Sequence, residues 1–220
     1  MKNKNIITID GPSASGKGSL AKALAKHLNF ILLDSGLLYR AYSYCFDQRG
    51  NHDRAMEIFL KLDIDIFDHK MHVFENKKDI TNFLRKEEIA KSASKLSSFK
   101  ETRDNLINFQ RNLATDNGLV ADGRDMGTVV FPNAATKIFL IANVEVRANR
   151  RFLELQNSGQ EVNMRHLIED IRLRDKTDKA RKLSPLKPAE DSIEVDSSNL
   201  SPQEVLEKVL KIYKENIREL

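Results

Sequence analysis

The sequence predicts an α/β fold: a three-layer α/β/α core around a parallel sheet, with an inserted antiparallel β hairpin and a short helical lid. Two patterns carry most of this prediction. Short apolar runs alternate with amphipathic helical stretches at both ends of the chain, as is typical of parallel strands joined by helices. Between residues 62 and 73, apolar and polar residues alternate one by one, which indicates half-buried antiparallel strands.

The amino-terminal elements follow directly from local patterns. Residues 6–9, Ile-Ile-Thr-Ile, form a β-branched apolar run that predicts a buried strand. After a glycine-rich turn, leucines repeat every four residues over positions 20–28, which predicts a helix with one apolar face. Residues 31–33 predict a second buried strand, and a helix is expected over residues 35–45.

The middle of the chain departs from this alternation. Its period-two pattern predicts a hairpin with strands at residues 62–66 and 71–73, joined by a turn at residues 68–70. Two helices are expected to follow the hairpin, at residues 85–96 and 99–113.

The carboxyl-terminal half returns to the α/β pattern. Strands are predicted at residues 119–121, 137–141 and 193–195, and a charged helical stretch at residues 143–182 breaks at residues 157–159. The last helix begins at a capping signature formed by Ser201, Pro202 and Glu204.

Composition excludes several classes of protein. Lys and Arg total 36 against 32 Asp and Glu, and a net charge of +4 is too small for a protein that coats nucleic acid. Hydrophobic residues reach 40%, which excludes a disordered chain. The single cysteine, Cys45, excludes a disulfide framework and favours a reducing compartment. Asp10 interrupts the first apolar run too early for a secretory signal, and no apolar run reaches the roughly 20 residues of a membrane helix. We therefore expect a cytoplasmic protein with no membrane or nucleic-acid partner.

The strongest local signal is the segment 11–19, which lies between the first strand and the first helix. Two glycines around four residues, followed by lysine, match a P-loop, in which backbone N–H groups turn inward on a polyphosphate and the lysine reaches its outer phosphates. The expected triphosphate-binding residues are Gly11, Pro12, Ser13, Ala14, Ser15, Gly16, Lys17, Gly18 and Ser19. Gly18 replaces the hydroxyl residue that normally holds Mg²⁺, which indicates a metal held mainly by phosphates and waters.

A dinucleotide-binding fingerprint is an alternative for this segment. Residues 16–21 fit its loose form, and Asp34 ends the next strand, where a ribose-binding acid would lie. That fingerprint should begin directly after the strand, whereas Gly16 lies six residues beyond Asp10. The register of a P-loop fits better.

Four segments carry a wider resemblance. They are residues 10–19, residues 33–40 (Leu-Asp-Ser-Gly-Leu-Leu-Tyr-Arg), residues 121–132 (Ala-Asp-Gly-Arg-Asp-Met-Gly-Thr-Val-Val-Phe-Pro) and residues 174–181 (Arg-Asp-x-x-Asp-x-x-Arg). Together they resemble bacterial cytidylate kinases, which are nucleoside monophosphate kinases with a P-loop. The resemblance covers essentially the whole chain. It implies Mg²⁺- and ATP-dependent phosphorylation of CMP and dCMP to CDP and dCDP.

The resemblance also implies roles for single residues. Arg150 joins the ATP-binding set, and Asp122 is the candidate for orienting waters on Mg²⁺. The implied catalytic cations are Lys17, Arg124, Arg174 and Arg181. The implied CMP-binding residues are Ser35, Arg40, Ser94, Arg103, Arg124, Asp125, Arg174, Asp178 and Arg181, of which Ser94, Arg103 and Asp125 correspond to residues that read the base.

We expect one domain over residues 1–220, with a core at residues 1–36, 99–150 and 164–220. Residues 37–98 would form a monophosphate-binding insertion, and residues 151–163 a lid over the triphosphate. A monomer is expected.

Three other functions compete with this interpretation. A small-metabolite kinase of the shikimate or gluconate type would share the P-loop but lack the inserted hairpin and the base-reading set. A basic nucleic-acid-binding module would suit the isoelectric point near 9.0, but acidic residues are interleaved throughout and no basic stripe with stacking aromatics is present. A redox module with a dinucleotide fold is the most distant alternative.

Overall fold

The computed structural model describes residues 3–157 and 159–218. Its eight strands within that part of the chain are β1 (Asn3–Asp10), β2 (Ile31–Asp34), β3 (Asp63–Phe67), β4 (Lys70–Glu75), β5 (Lys78–Asp79), β6 (Leu119–Gly123), β7 (Ala134–Ile141) and β8 (Ile193–Asp196). Its helices are α1 (Lys17–Leu28), α2 (Ser35–Asp47), α3 (His52–Phe59), α4 (Thr81–Leu84), α5 (Glu87–Leu96), α6 (Lys100–Asn112), α7 (Val144–Asn157), α8 (Met164–Ala180) and α9 (Pro202–Arg218). Ser158, in the predicted break, and Met1 and Lys2 lie outside the described residues.

The centre of the molecule is a five-stranded sheet in the order β2-β6-β1-β7-β8, with every neighbouring pair parallel. Successive residues of a strand face opposite sides of the sheet, so each strand contributes to two apolar layers. Ile7 and Ile9 of β1 pack with α1 and α9, while Ile6 packs with α2 and α6 on the other side. The predicted α/β/α core is confirmed.

The inserted sheet is larger than the predicted hairpin. β3 and β4 are antiparallel, and β5 extends them to three strands in the order β3-β4-β5. Met71 and Val73 of β4 are buried and join the apolar layer under α2. The helices α3 and α4 were not predicted, because each is too short to show a clear helical period; Asn51 caps α3 by accepting from two backbone N–H groups.

The carboxyl-terminal region matches its sequence pattern closely. α7 and α8 have an apolar cluster of their own, which includes Leu155 and Ile171. The predicted capping signature of α9 is confirmed: Ser201 N–H donates to the Glu204 carboxylate at 2.8 Å, and Glu204 N–H donates to the Ser201 hydroxyl at 3.3 Å. No helix in the described ranges is long and apolar enough to cross a membrane.

The glycine-rich loop between β1 and α1 lies directly against β7. Gly11 has φ of 153°, and a Cβ atom there would lie 2.1 Å from the backbone oxygen of Leu140. No side chain fits at that distance, so the start of the loop requires glycine. Gly16, with φ of 95°, then forms the left-handed cap of α1.

This close approach predicts an asymmetry between two glycines. We expect Gly11→Ala to lower the free energy of unfolding by more than about 3 kcal/mol, because it combines a positive φ with a clash against backbone. Gly50→Ala is the matched control: its φ is also positive, at 64°, but no described atom lies within 4 Å of the added carbon, so the cost should stay near 1 kcal/mol. Urea denaturation measures both, and equal losses would contradict the close approach.

Candidate functional site

A cleft of about 860 Å³ opens at the edge of the sheet where the parallel strands end. Ligands of open α/β sheets bind at this edge, and the volume suits small-molecule ligands. The structure brings the predicted site residues together here. All of them except Gly11 and Pro12 line the cleft, namely Ser13, Ala14, Ser15, Gly16, Lys17, Gly18, Ser19, Ser35, Arg40, Ser94, Arg103, Asp122, Arg124, Asp125, Arg150, Arg174, Asp178 and Arg181.

Lys17 is the first residue of α1 and is almost fully buried. Its ammonium group folds back over the loop and donates to the Pro12 carbonyl at 2.7 Å. Burial and the neighbouring Arg124 lower the pKa of Lys17 to about 7. A phosphate entering the loop would therefore meet the amino end of a helix and an amine close to its protonation midpoint.

Asp122, the last residue but one of β6, lies opposite Asp34 of β2 in the parallel register. Burial raises the pKa of Asp122 to about 6, and Lys17 opposes that rise. A Cβ atom on Gly18 would lie 3.4 Å from the Asp122 carboxylate. The absence of a side chain at position 18 therefore leaves room beside an oxygen-bearing group.

Arg103 and Asp125 form a largely buried ion pair in the wall of the cleft. Arg103 also donates to the Ser97 carbonyl at 3.0 Å and lies 5.7 Å from the centre of the Tyr39 ring. Burial raises the pKa of Tyr39, so its hydroxyl stays neutral. A carboxylate and a guanidinium fixed side by side suit a ligand that carries both donors and acceptors.

Asp178 of α8 organises the cations in the middle of the cleft. Its buried carboxylate accepts from Arg124 at 2.9 Å and pairs with Arg181. The resulting positive surroundings hold the pKa of Asp178 below its usual value, against the effect of burial. Arg181 also donates to the Ser94 hydroxyl at 3.4 Å, which joins α8 to α5.

Arg174, one turn earlier on α8, is less well satisfied. Its buried Nε has no hydrogen-bond partner within the part of the chain that the structure describes. Burial and the nearby Arg124 lower its pKa to about 10. An unpaired guanidinium edge in a cleft is a ready donor for an anion.

The amino end of α2 forms another wall of the cleft. The Ser35 hydroxyl donates to the Gln110 side chain at 2.7 Å, and Arg40 donates to the Leu84 carbonyl at 3.4 Å. Asp34 caps α2 at the Leu37 N–H group and pairs with Arg85 at 3.1 Å.

Arg150 lies where the loop meets β8. It donates to the Ser15 carbonyl at 3.0 Å and to the Ser197 hydroxyl at 3.0 Å. Arg147, one turn earlier, donates to the Ser13 carbonyl at 3.1 Å and pairs with Asp175 at 2.6 Å. Helices α7 and α8 are thereby tied to the loop.

Gln110, Arg85 and Ser197 are among the residues that were not predicted from the sequence. Gln110 and Arg85 show no motif around them. Ser197 directly follows β8, and a polar residue at the end of a parallel strand was the signal that would have found it.

The carboxylates here do not form a metal site by themselves. No group of three or more His, Cys, Asp or Glu side chains in the described ranges is placed to hold a metal ion.

A family model described as cytidylate kinase matches residues 7–215. The chain belongs to the cytidylate kinase family. It is 41% identical to the cytidylate kinase of Pasteurella multocida over 99% of this chain and 98% of that protein. It is 40% identical to the cytidylate kinase of Bacillus subtilis over 99% of this chain and 100% of that protein. The chain is therefore an enzyme, a nucleoside monophosphate kinase with a P-loop.

A solved structure supports the fold alone. An uncharacterized protein from Eubacterium ventriosum has a TM-score of 0.52 over 97% of this chain and 99% of its own, at 16% identity.

Since phosphate favours the charged form of Lys17, we expect ATP binding at about pH 8 to take up about one proton. The free amine, with a pKa of about 7, is mostly neutral at that pH, and a bound polyphosphate raises its pKa. Calorimetry in buffers of different ionisation enthalpy measures the uptake. Lys17→Arg, charged throughout, is the control and should abolish it; equal uptake by both proteins would contradict the assignment.

Proposed function

We propose that this protein transfers the γ-phosphoryl group of ATP to CMP and dCMP, giving ADP with CDP or dCDP. The observation that carries the proposal is the Arg103–Asp125 pair, which lines the same cleft as the P-loop. Full-length similarity to cytidylate kinases supports it.

The donor is proposed to occupy the P-loop end of the cleft. Backbone N–H groups of residues 11–19 and the amino end of α1 would bind the phosphates, with Lys17 leaving the Pro12 carbonyl to reach the outer ones. Arg150, already fixed against the loop at Ser15, supports the donor side.

Mg²⁺ fits this site as an ion held through the phosphates of ATP. The space above Gly18 opens onto the Asp122 carboxylate, and oxygen is the ligand that this ion prefers. Bound there, Mg²⁺ would neutralise charge on the phosphates; Asp122 would orient its waters.

The acceptor is proposed to lie between α2, α5 and α8. Ser35 and Arg40, at the amino end of α2, would bind its phosphate together with Arg181. The Asp125 carboxylate would accept a hydrogen bond from the exocyclic amine of cytosine. Arg103 would donate to the carbonyl of the same base, and Ser94 would complete the base site. Uracil offers a carbonyl where cytosine has the amine, so it would leave Asp125 without a donor. Arg174 and Asp178 would meet the sugar hydroxyls.

The reaction needs charge neutralisation more than proton transfer. An oxygen of the acceptor phosphate forms a bond to the γ-phosphorus as the bond to the bridging oxygen of ADP breaks. The attacking phosphate is already ionised, so no general base is required. Lys17, Arg124, Arg174 and Arg181 would together stabilise the charge on the transferring group.

Two segments are proposed to close over the nucleotides. The insertion at residues 37–98 would cover the acceptor, and a lid at residues 151–163 would cover the donor, which excludes water as a competing acceptor. The ion pair between Glu87 of α5 and Arg151 of α7, at 2.8 Å, supports contact between these segments.

We also propose that the enzyme acts as a monomer in the cytoplasm. The chain has one cysteine, Cys45, which is buried, and a protein without a disulfide framework suits a reducing compartment.

Initial rates with CMP, dCMP, UMP and AMP in a coupled assay for ADP test the proposed function. We expect CMP and dCMP to be turned over far better than UMP and AMP, because only cytosine matches the Arg103–Asp125 pair. Equal or better turnover of UMP or AMP would overturn the assignment of the base site.

Two arginines on α8 allow the loss of a positive charge inside the cleft to be compared with the loss of one outside it. We expect Arg174→Gln to lower kcat/KM at least about 100-fold, since the free guanidinium edge would bind the transferring phosphate or its acceptor. Arg172 lies on the same helix but is exposed and pairs with Glu145 at 3.3 Å, so Arg172→Gln should stay within about twofold of the unmodified protein. Comparable losses for both variants would show a general effect of charge.

A further inference from the structure

The residues after Asp125 form a π-helical turn, Met126–Val130, whose first N–H groups bond to a distant side chain. The N–H groups of Met126 and Gly127 each donate to one oxygen of the Asp10 carboxylate, both at 2.8 Å. Asp10 is buried at the end of β1, directly before the P-loop. One carboxylate thus satisfies two donors that the start of a helical turn leaves without partners.

An aspartate directly before a helical turn usually caps that turn with its own side chain. Asp125 occupies this position, yet its carboxylate makes no capping bond to any described residue of the turn. It pairs with Arg103 across the cleft instead. A capping side chain accepts a hydrogen bond from the second or third N–H group of its turn, and the second N–H group, that of Gly127, is already bonded to Asp10.

We infer that Asp10 is a positioning residue for base selection: by capping this turn from β1, it leaves the Asp125 carboxylate in the cleft beside Arg103. The inference rests on the proposed function, in which Asp125 binds the exocyclic amine of cytosine. Asp10 acts through the turn, since its two oxygens are occupied by backbone N–H groups.

Packing around the turn provides an independent way to disturb this cap. A Cβ atom on Gly127 would lie 2.9 Å from the Thr8 hydroxyl and 3.4 Å from the Asp10 carboxylate. Gly127→Ala would therefore push the turn away from β1 while leaving the Asp10 side chain itself unchanged.

The opposite end of the turn provides the control. Arg111 of α6 donates to the carbonyls of Val130 and Val129, each at 3.0 Å. Arg111→Gln weakens the same turn through its last carbonyls and leaves in place the two N–H groups that Asp10 accepts.

The experiment measures kcat/KM for CMP and for UMP, KM for ATP, and Tm. Asp10→Asn keeps the shape but presents an NH₂ group to one of the two N–H donors. We expect Asp10→Asn and Gly127→Ala each to lower the CMP-to-UMP ratio of kcat/KM at least about fivefold, because Asp125 turns back to cap the turn. KM for ATP should stay within about twofold. Arg111→Gln should lower Tm and leave the ratio within about twofold.

A double variant distinguishes a role of Asp10 through Asp125 from a purely structural role. In the Asp125→Asn background the base reader is already lost, so adding Asp10→Asn should lower the ratio no further. A further loss of the same size would overturn the inference.

The remaining outcomes are also decisive. An unchanged ratio in folded Asp10→Asn and Gly127→Ala would overturn the inference, and so would an equal loss in Arg111→Gln. If neither Asp10→Asn nor Gly127→Ala folds, Asp10 is a structural residue and the inference fails. An unmodified protein without preference for CMP would overturn the proposed function itself, whereas variants that keep a normal preference overturn only the role of Asp10.

Discussion

The cleft holds several cations in surroundings largely shielded from water, and keeping them there has an electrostatic cost. Lys17, Arg124 and Arg174 converge where the parallel strands end. Burial, together with the charge of Arg124, lowers the pKa of Lys17 to about 7 and that of Arg174 to about 10. Such a cluster costs folding free energy in the empty cleft. An anion that enters relieves the repulsion, so this cost becomes affinity and charge stabilisation when phosphate is bound.

The acidic residues of the cleft keep these cations apart and in fixed orientations. Asp178 holds Arg124 and Arg181, Asp175 holds Arg147, and Asp125 holds Arg103. Each pair fixes a long, flexible side chain before any ligand arrives, which lowers the entropy lost on binding. The small net charge of +4 is therefore compatible with a strongly cationic cleft, because many of the carboxylates near the cleft are paired with its arginines and hold them in place.

The features predicted from the sequence are those whose determinants are contiguous. The P-loop is one segment between a strand and a helix, and the cap of α9 spans four residues, so local spacing was sufficient for both. Local spacing did not predict the roles of Ser197, Gln110 and Arg85, because their partners come from remote elements. Ser35 and Gln110, for example, are 75 positions apart. The turn after Asp125 is the clearest case, since its cap lies 116 positions away from Met126. Local sequence there resembles an ordinary loop.

Two ion pairs that join α5 to α7 and α8 bear on how ligands enter the cleft. Glu87–Arg151 and Lys91–Asp170 both have solvent-accessible members, and such pairs contribute only about 0–1 kcal/mol each, less as salt rises. These two pairs therefore add little resistance to a separation of α5 from α7 and α8, and their contribution should fall further as the salt concentration rises.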